Sequence, residues 1–303
     1  MIKLTNIYKS FGRKKVLQNI NFEIKKGAIT GLLGPNGAGK TTTMRIIAGI
    51  LKPDRGSVQI NNLYLNQNPL KVKSIIGYLP EDNPLYEFLT VKEYLKFIGA
   101  IKKGKNLKKQ MEKLVKELGL DKVLTEKIEY LSRGFKQRVG LAASLLGDPK
   151  ILILDEATSG LDPNQRIEIR NFIKTLKKTV LFSSHILPEV QQICSEVVII
   201  NNGKIIAQGK IDKLLKTTPR LKVGIKNATE AKIKNYFQRF SDINLKIETK
   251  NNLVWLSLET QQKINLREII WAMIKKNRDW QIYEMEEKKQ NLEEIFNQLT
   301  KDE

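Results

Sequence analysis

The feature that most constrains the fold of this 303-residue chain is a short apolar run followed by a glycine-rich loop. Residues 29–33 read ITGLL and lead into GPNGAGKT at residues 34–41, after which a helical pattern begins. The loop matches G-x-x-x-x-G-K-[ST] in the strand, loop and helix context that this motif requires. Gly37 and Gly39 let successive backbone N–H groups point inward, and the helix adds its positive N-terminal end. The sequence therefore predicts an α/β fold with a phosphate-binding loop.

Two side chains at the end of this loop are predicted to act on a nucleotide. Lys40 supplies a point charge for the β- and γ-phosphates, and the Thr41 hydroxyl is suited to ligate magnesium. A nucleotide phosphate group and Mg²⁺ are therefore the predicted ligands of this loop. The other loop residues expected to contact the nucleotide are Gly34, Pro35, Asn36, Gly37, Ala38, Gly39 and Thr42.

A second apolar run, ILILDE at residues 151–156, ends in two carboxylates. Its unbroken Ile and Leu character is typical of a strand that is covered on both faces of a parallel sheet. Unpaired charges at the end of a buried strand are too costly to be explained by packing alone. We therefore expect Asp155 to orient magnesium through its water shell and Glu156 to accept a proton from the attacking water.

The sequence LSRG at residues 131–134 precedes a third informative segment, a helix with apolar residues as far as Leu146. Ser132 is a good candidate for the helix N-cap. A serine hydroxyl and the Gly134 N–H at a helix start can bind an anion, but ordinary capping explains them equally well. These residues alone leave both interpretations open.

Taken together, the motifs resemble those of an ATP-binding cassette (ABC) ATPase over residues 1 to about 216. GPNGAGKTT resembles the Walker A loop of that family, LSRGF its signature motif, ILILDE its Walker B strand, SGLD its D-loop and SSH its switch histidine. All of them occur in family order and at family spacing. The resemblance implies a P-loop NTPase fold for residues 1–216, with a helical subdomain at about residues 90–147.

The resemblance also implies a homodimer in which two nucleotide-binding domains meet head to tail. Each ATP would lie between the Walker A loop of one domain and the signature motif of the other. Ser132 and Gly134 would then contact the ATP held by the partner chain. His185, the only histidine in the sequence, would reach the γ-phosphate and help to hold Glu156 and the attacking water.

Several positions depart from the family pattern. Phe11 stands where the family often has a tyrosine that stacks on adenine, with Val16 as an apolar neighbour, and phenylalanine can still stack. The signature reads LSRGF in place of the commoner LSGGQ. Glu81 replaces the Q-loop glutamine, and its carboxylate is a good magnesium ligand but adds negative charge beside the phosphates. The predicted metal ligands are therefore Thr41, Glu81 and Asp155.

Three longer segments indicate a branch of this family. The sequence resembles the ATPase subunits of bacterial exporters that pair with a separate membrane permease, most closely the gliding-motility group, in the segments IGYLPEDNPLY, LSRGFKQRVGLA and SGLDPNQ. This implies an ATPase held at the cytoplasmic face of the membrane by an integral membrane permease, with residues 81–88 as the contact. The alternative is a soluble ABC ATPase that acts on ribosomes or nucleic acid. A single phosphate loop and the lack of an extended heptad run argue against it, since such relatives carry two cassettes or long coiled-coil inserts.

Composition limits the remaining possibilities. The formal charge of +21 could indicate nucleic-acid binding. The basic residues are mostly lysines spread along the chain, and even the dense run at 102–116 is expected to be a solvated helix face, so no stable nucleic-acid partner is predicted. No apolar run approaches the roughly 18 residues of a membrane span, and the first residues resemble no signal or transit peptide. Cys194, the only cysteine, is expected to be a buried thiol.

A second domain is predicted at residues 217–303, because the phosphate motifs end and Thr217-Thr-Pro219 marks a break. Strand patterns at RLKVGIKN, INLKIETK, NLVWLSLE and QIYEMEE alternate with helices at 230–240 and 266–276. Their order is β-α-β-β-α-β, which predicts a small α+β, ferredoxin-like domain.

Two further expectations concern this C-terminal domain. Residues 291–300 resemble the short helix that ends many exporter ATPases, for which a regulatory, partner-binding or dimer-stabilising role is a hypothesis. The tryptophans are expected to be core anchors, and they are Trp255, Trp271 and Trp280.

Overall fold

The computed structural model describes residues 1–102, 106–215, 220–260, 262, 264–288 and 292–301. The chain divides into two compact units, Met1–Ile211 and Asp212–Glu303. The predicted break at Thr217-Thr-Pro219 lies outside the described residues.

The first unit alternates strands and helices. In chain order its elements are β1 (Ile2–Phe11), β2 (Lys14–Ile24), β3 (Ile29–Leu33), α1 (Lys40–Ile47), β4 (Arg55–Ile60), β5 (Leu63–Tyr64), α2 (Pro69–Lys73), β6 (Ile76–Leu79), α3 (Val91–Lys102), α4 (Leu107–Glu117), 3-10 turns at Asp121–Val123 and Ile128–Tyr130, α5 (Arg133–Leu145), β7 (Ile151–Leu154), α6 (Pro163–Thr175), β8 (Thr179–Ser183), α7 (Leu187–Ile193), β9 (Glu196–Asn201) and β10 (Lys204–Lys210). A short helix, α8 (Ile211–Leu214), follows at the border between the units.

A six-stranded sheet with the order β10-β9-β3-β8-β7-β6 forms the centre of the first unit. Its strands are parallel except for β10, which pairs with β9 antiparallel. All residues of β7 and β8 are buried, as the unbroken apolar run of β7 predicts for a strand covered on both faces. Because β3, β7 and β8 are parallel, their carboxyl ends lie at one edge, where such sheets bind ligands.

A second, antiparallel sheet with the order β2-β1-β4-β5 shares its core with the first. One hydrophobic cluster contains Ile7 and Ile20 from this sheet, Ile153 and Val198 from the parallel sheet, and Met44 from α1. Helix α1 is therefore anchored between both sheets, and this fixes the start of the helix, where the phosphate loop ends.

Helices α3, α4 and α5 lie between β6 and β7, in the segment assigned to the helical subdomain. The lysine-rich run at 102–116 falls largely on α4, although residues 103–105 lie outside the described residues. Leu114 and Val115 of α4 are buried, whereas its lysines are exposed. The lysines of α4 therefore form a solvated helix face, as predicted, whereas Lys102 at the end of α3 is half-buried.

The second unit consists of β11 (Arg220–Lys226), α9 (Glu230–Phe237), β12 (Ile243–Lys250), β13 (Leu253–Thr260), α10 (Leu266–Lys276), β14 (Gln281–Lys288) and α11 (Leu292–Lys301). Its sheet has the order β12-β13-β11-β14 and is antiparallel throughout. The β-α-β-β-α-β order predicted for the ferredoxin-like domain is therefore present. Helices α9 and α10 cover one face of the sheet and contribute Ile233, Phe237, Ile270 and Met273 to the core.

The prediction that all the tryptophans anchor this core was wrong. Trp280 is buried, but Trp271 is 53% exposed because it lies on the solvent side of α10, one residue after the core residue Ile270. Trp255 is half-buried, and its ring covers Gly224 on the neighbouring strand, where an added Cβ would lie 3.1 Å from the ring.

Cys194 is buried beside β3, as predicted, and burial raises the pKa of its thiol. Within the described ranges, every helix is too short or too polar to span a bilayer.

Candidate functional site

The phosphate loop follows β3 and has a backbone that only glycine accommodates at its critical points. Gly37 and Gly39 have φ angles of 79° and 108°, which L side chains rarely adopt. A Cβ at Gly34 would lie 2.3 Å from the carbonyl oxygen of Ile200 on β9. The loop is therefore fixed against the sheet, and its N–H groups and the start of α1 are available to an anion.

Lys40 is buried and is held inside the loop. Its Nζ donates hydrogen bonds to the carbonyl oxygens of Gly34 at 2.8 Å and Pro35 at 3.1 Å. The Thr43 hydroxyl donates to the Gly39 carbonyl oxygen at 2.8 Å and stabilises the first turn of α1. The lysine charge is thus already positioned at the centre of the cradle.

Asp155 lies at the end of β7 and is fully buried. Its Oδ1 accepts a hydrogen bond from Ser183 Oγ at 2.8 Å, while Oδ2 has no hydrogen-bond partner among the described residues. Burial raises the pKa of the Asp155 carboxyl, and the nearby hydroxyls of Ser183 and Thr41 act in the opposite direction. A buried oxygen without a partner fits a hydrated cation, since otherwise its desolvation is uncompensated.

Glu156 follows at once and turns away from the strand with a φ angle of 51°. Its backbone N–H donates to Ser183 Oγ at 2.9 Å, so this one hydroxyl joins both carboxylate residues to β8. Sequence reasoning assigned no role to Ser183, although it begins the SSH motif.

His185 follows β8 and lies beside Glu156. The His185 Nδ1 is 2.7 Å from Glu156 Oε2. The glutamate side chain is buried, and the imidazole is more than half exposed. The two residues that the family resemblance assigns to the hydrolytic step therefore contact each other, with the free face of the histidine open.

Lys40, Glu156 and His185 line one cavity of about 550 Å³. Of the predicted site residues, it brings together Val16, Asn36, Gly37, Gly39, Lys40, Thr41, Thr42, Glu81, Glu156 and His185. Lys14 and Ser159 also line it, and sequence reasoning missed both. Burial and the charges of Asp155 and Glu156 raise the pKa of the Glu81 carboxyl, which reflects the repulsion expected for a third carboxylate beside the phosphate site.

Several predicted site residues do not line this cavity. Gly34 and Ala38 are buried in the phosphate loop, Pro35 is exposed, and Asp155 is buried at the strand end. Phe11 is 51% exposed, and its ring is contacted by the Lys9 ammonium at 5.5 Å from the ring centre.

The signature residues Ser132 and Gly134 also lie away from the cavity. Ser132 Oγ accepts a hydrogen bond from Phe135 N at 3.4 Å and caps α5. A Cβ at Gly134 would lie 2.4 Å from the side-chain oxygen of Gln165. Within one chain, this segment therefore has the capping role that the sequence left open.

Comparison with known proteins identifies a family. Residues 17–159 match the protein family described as ABC transporter. The linearmycin resistance ATP-binding protein LnrL of Bacillus subtilis (strain 168) is 37% identical over 215 residues, which cover 69% of this chain and 69% of that protein. The bacitracin transport ATP-binding protein BcrA of Bacillus licheniformis is 38% identical over 220 residues, covering 71% of this chain and 72% of that protein.

A solved structure extends the likeness to three dimensions. It is described as the dimeric structure of a post-hydrolysis state of the ATP-binding cassette MJ0796 bound to ADP and Pi. It matches with a TM-score of 0.64 at 27% identity and covers 70% of this chain and 99% of that chain. The predicted P-loop fold is confirmed, and the gliding-motility branch stays a prediction. The chain belongs to the ABC transporter family, in which it is an ATP-binding subunit with ATPase activity.

Proposed function

We propose that two copies of this chain close head to tail around two molecules of Mg-ATP and drive the separate permease of an exporter. The observation that carries the proposal is the direct contact between Glu156 and His185 in the cavity that Lys40 and the phosphate loop also line. Two relatives are named for linearmycin resistance and bacitracin transport, and this supports an export role.

In the proposed hydrolytic step, Glu156 accepts a proton as water attacks the γ-phosphorus and the bond to the ADP oxygen breaks. His185 holds the carboxylate by its hydrogen bond and directs its exposed edge to the γ-phosphate. Lys40 leaves its carbonyl partners and binds the phosphate oxygens. Catalysis is then mostly positioning and stabilisation of charge.

Magnesium is the second proposed cofactor. Thr41 and Asp155 would hold it, the latter through water and its unpaired Oδ2, and Glu81 is a third candidate ligand. The ion would neutralise the developing charge on the β- and γ-phosphates. It would also offset the mutual repulsion of Glu81, Asp155 and Glu156.

The proposed dimer gives the signature segment a second role. Ser132 is exposed at the start of α5, so its hydroxyl and the first N–H groups of the helix can meet an ATP held by the partner. The dimeric form of the MJ0796 cassette supports this arrangement.

An aromatic patch formed by Tyr86, Phe88 and Phe97 is the proposed docking surface for the permease. Phe88 is 70% exposed, and Tyr86 lies 6.1 Å from its ring and 5.4 Å from that of Phe97, between ring centres. The buried Tyr94 supports the patch at 6.0 Å from Tyr86. Exposed apolar groups that are contiguous usually mark a protein contact. Two of the three belong to the segment 81–88.

A polar connection runs from this segment to the catalytic loop. Asn83 Nδ2 donates to the Lys136 carbonyl oxygen at 2.7 Å and lies 3.4 Å from Gln137 Oε1. The buried Gln137 in turn donates from Nε2 to the Ala157 carbonyl oxygen at 2.9 Å. We infer that a permease contact at 81–88 alters, through these hydrogen bonds, the position of Ala157, the residue next to Glu156.

The remaining proposals concern organisation. The unit Met1–Ile211 would be the nucleotide-binding domain, and the unit Asp212–Glu303 an accessory domain with a regulatory or partner-binding role. The chain would be held at the cytoplasmic face of the membrane by the permease.

The test is a pull-down of the tagged protein from detergent-solubilised membranes of its own host, with the bound proteins identified by mass spectrometry. Recovery of a polytopic membrane protein supports the exporter and points to its cargo. Recovery of ribosomal proteins or nucleic acid would leave the ATPase intact and contradict the transport role.

A further inference from the structure

A buried carboxylate, Glu189, lies in the first turn of α7, behind the catalytic loops. It is 1% exposed and does not line the nucleotide cavity. Its Oε2 accepts hydrogen bonds from Thr158 Oγ1 at 2.6 Å and from Ser184 Oγ at 3.2 Å. One carboxylate oxygen therefore joins two loops that follow different strands.

The positions of these partners relate Glu189 to the reacting groups. Thr158 comes two residues after Glu156, and Ser184 comes directly before His185. Ser184 Oγ also accepts from the Ile186 backbone N–H at 3.0 Å, which closes the turn around the histidine. Any shift of Glu189 would therefore move both loops on which the Glu156–His185 contact depends.

The energetics of Glu189 argue against a role in stability alone. Arg170 of α6 is paired with it, with Nη1 3.7 Å from Oε1, and Oε1 has no hydrogen bond among the described residues. A buried charge with an incomplete set of partners costs folding free energy that an apolar side chain of similar volume would not. What the carboxylate provides is a fixed geometry for the hydroxyls of Thr158 and Ser184.

We propose that Glu189 is a positioning residue for ATP hydrolysis, which holds the loops of Glu156 and His185 at the separation required for their hydrogen bond. This inference rests on the roles proposed above for Glu156 and His185. Glu189 itself touches neither nucleotide nor water in the reaction.

The experiment compares Glu189→Gln and Thr158→Val with the conservative Thr158→Ser in the full-length protein. We expect kcat for ATP hydrolysis to fall by about tenfold or more in the first two variants, because small misplacements of catalytic groups are costly. The Kd for ATP, measured by calorimetry, should stay within about threefold, since uniform binding is untouched. Thr158→Ser keeps the hydroxyl and should restore kcat.

A double-mutant cycle and a matched control sharpen the result. Thr158→Val combined with Glu189→Gln should cost less than the sum of the two, because Thr158→Val removes the same hydrogen bond that Glu189→Gln weakens. The control is the Glu230–Thr249 pair in the second unit, where Thr249 Oγ1 donates to Glu230 Oε1 at 2.8 Å. Glu230→Gln should leave kcat unchanged.

Two results would overturn the inference. One is an unchanged kcat in both Glu189→Gln and Thr158→Val. The other is a loss of kcat that is accompanied by weaker ATP binding and a lower melting temperature, and that is also seen in Thr158→Ser. Glu156→Gln is measured in the same series: if it still hydrolyses ATP, the proposed function fails, whereas a dead Glu156→Gln with fully active Glu189 variants removes only the role of Glu189.

Discussion

His185 Nδ1 and Glu156 Oε2 are 2.7 Å apart, although their loops follow two different strands of the parallel sheet. The register of β7 and β8 creates this contact, since Leu154, the last residue of β7, pairs with Phe182, one residue before the end of β8. The sheet itself thus sets the distance between the two groups.

Glu156→Gln should remove the proton acceptor and preserve the shape of the site. We expect kcat to fall by about 10²- to 10⁴-fold, as for loss of a general base. ATP binding should survive, so the variant should accumulate as an ATP-bound dimer, measured by light scattering with excess Mg-ATP. Glu196→Gln, at the Lys25–Glu196 surface pair, is the control. A Glu156→Gln protein that stays monomeric would contradict the head-to-tail site.

His185→Ala should lose hydrolysis and keep nucleotide binding. The imidazole contacts Glu156 and is not part of the phosphate cradle, so its removal affects the reaction more than the ground state. We expect kcat to fall by about 10²-fold, with the Kd for ATP within about threefold. A parallel loss of ATP affinity would contradict this division of roles.

Ser183→Ala should raise the magnesium concentration that the ATPase requires. The Ser183 hydroxyl holds Oδ1 of Asp155 and accepts the backbone N–H of Glu156, so its loss frees both. Removal of such an orienting partner costs metal affinity by about 10- to 100-fold, which a magnesium titration of activity would measure. Ser195→Ala removes a hydroxyl that donates to the Ile29 carbonyl oxygen, and this variant should titrate as the unmodified protein does.

Tyr86→Ala combined with Phe88→Ala should abolish recovery of the membrane partner. Both rings lie outside the nucleotide cavity, so the ATPase activity of the purified protein should change by less than about twofold. Tyr64→Ala removes an exposed ring from β5 and serves as the control for lost surface area. Equal recovery of the partner by both variants would exclude the aromatic patch as the docking surface.

Cys194 should be inert to thiol reagents in the folded protein. Burial raises the pKa of its thiol, so the reactive thiolate is absent at neutral and mildly alkaline pH. Because the sequence has no other cysteine, labelling followed by mass spectrometry in increasing urea should coincide with unfolding. Fast labelling of the native protein would contradict the burial of this side chain.

The nucleotide half of the site could be predicted from sequence because its chemistry is local. The loop 34–41 specifies its own backbone by its glycines, and the run ILILDE specifies a buried strand and its terminal carboxylates. Parallel pairing then brings the strand ends together without further information.

The residues that sequence reasoning missed could not be predicted locally, because their roles depend on neighbours that only the tertiary fold brings to them. Ser183 is one of two serines in SSH, and only the fold distinguishes the one that bonds Asp155 from the one that bonds Glu189. The prediction that Trp271 is buried was wrong for a related reason. Strong hydrophobicity predicts burial, but the helical periodicity of α10 directs Ile270 inward and Trp271 outward.

The arrangement of the tryptophans has a practical consequence. Trp255, Trp271 and Trp280 are the only tryptophans in the sequence, and all belong to the second unit, in half-buried, exposed and buried surroundings respectively. Intrinsic tryptophan fluorescence therefore observes the C-terminal unit alone, without any dye. If emission changes when ATP binds at the phosphate loop, that change is a direct optical record of communication from the first unit to the second.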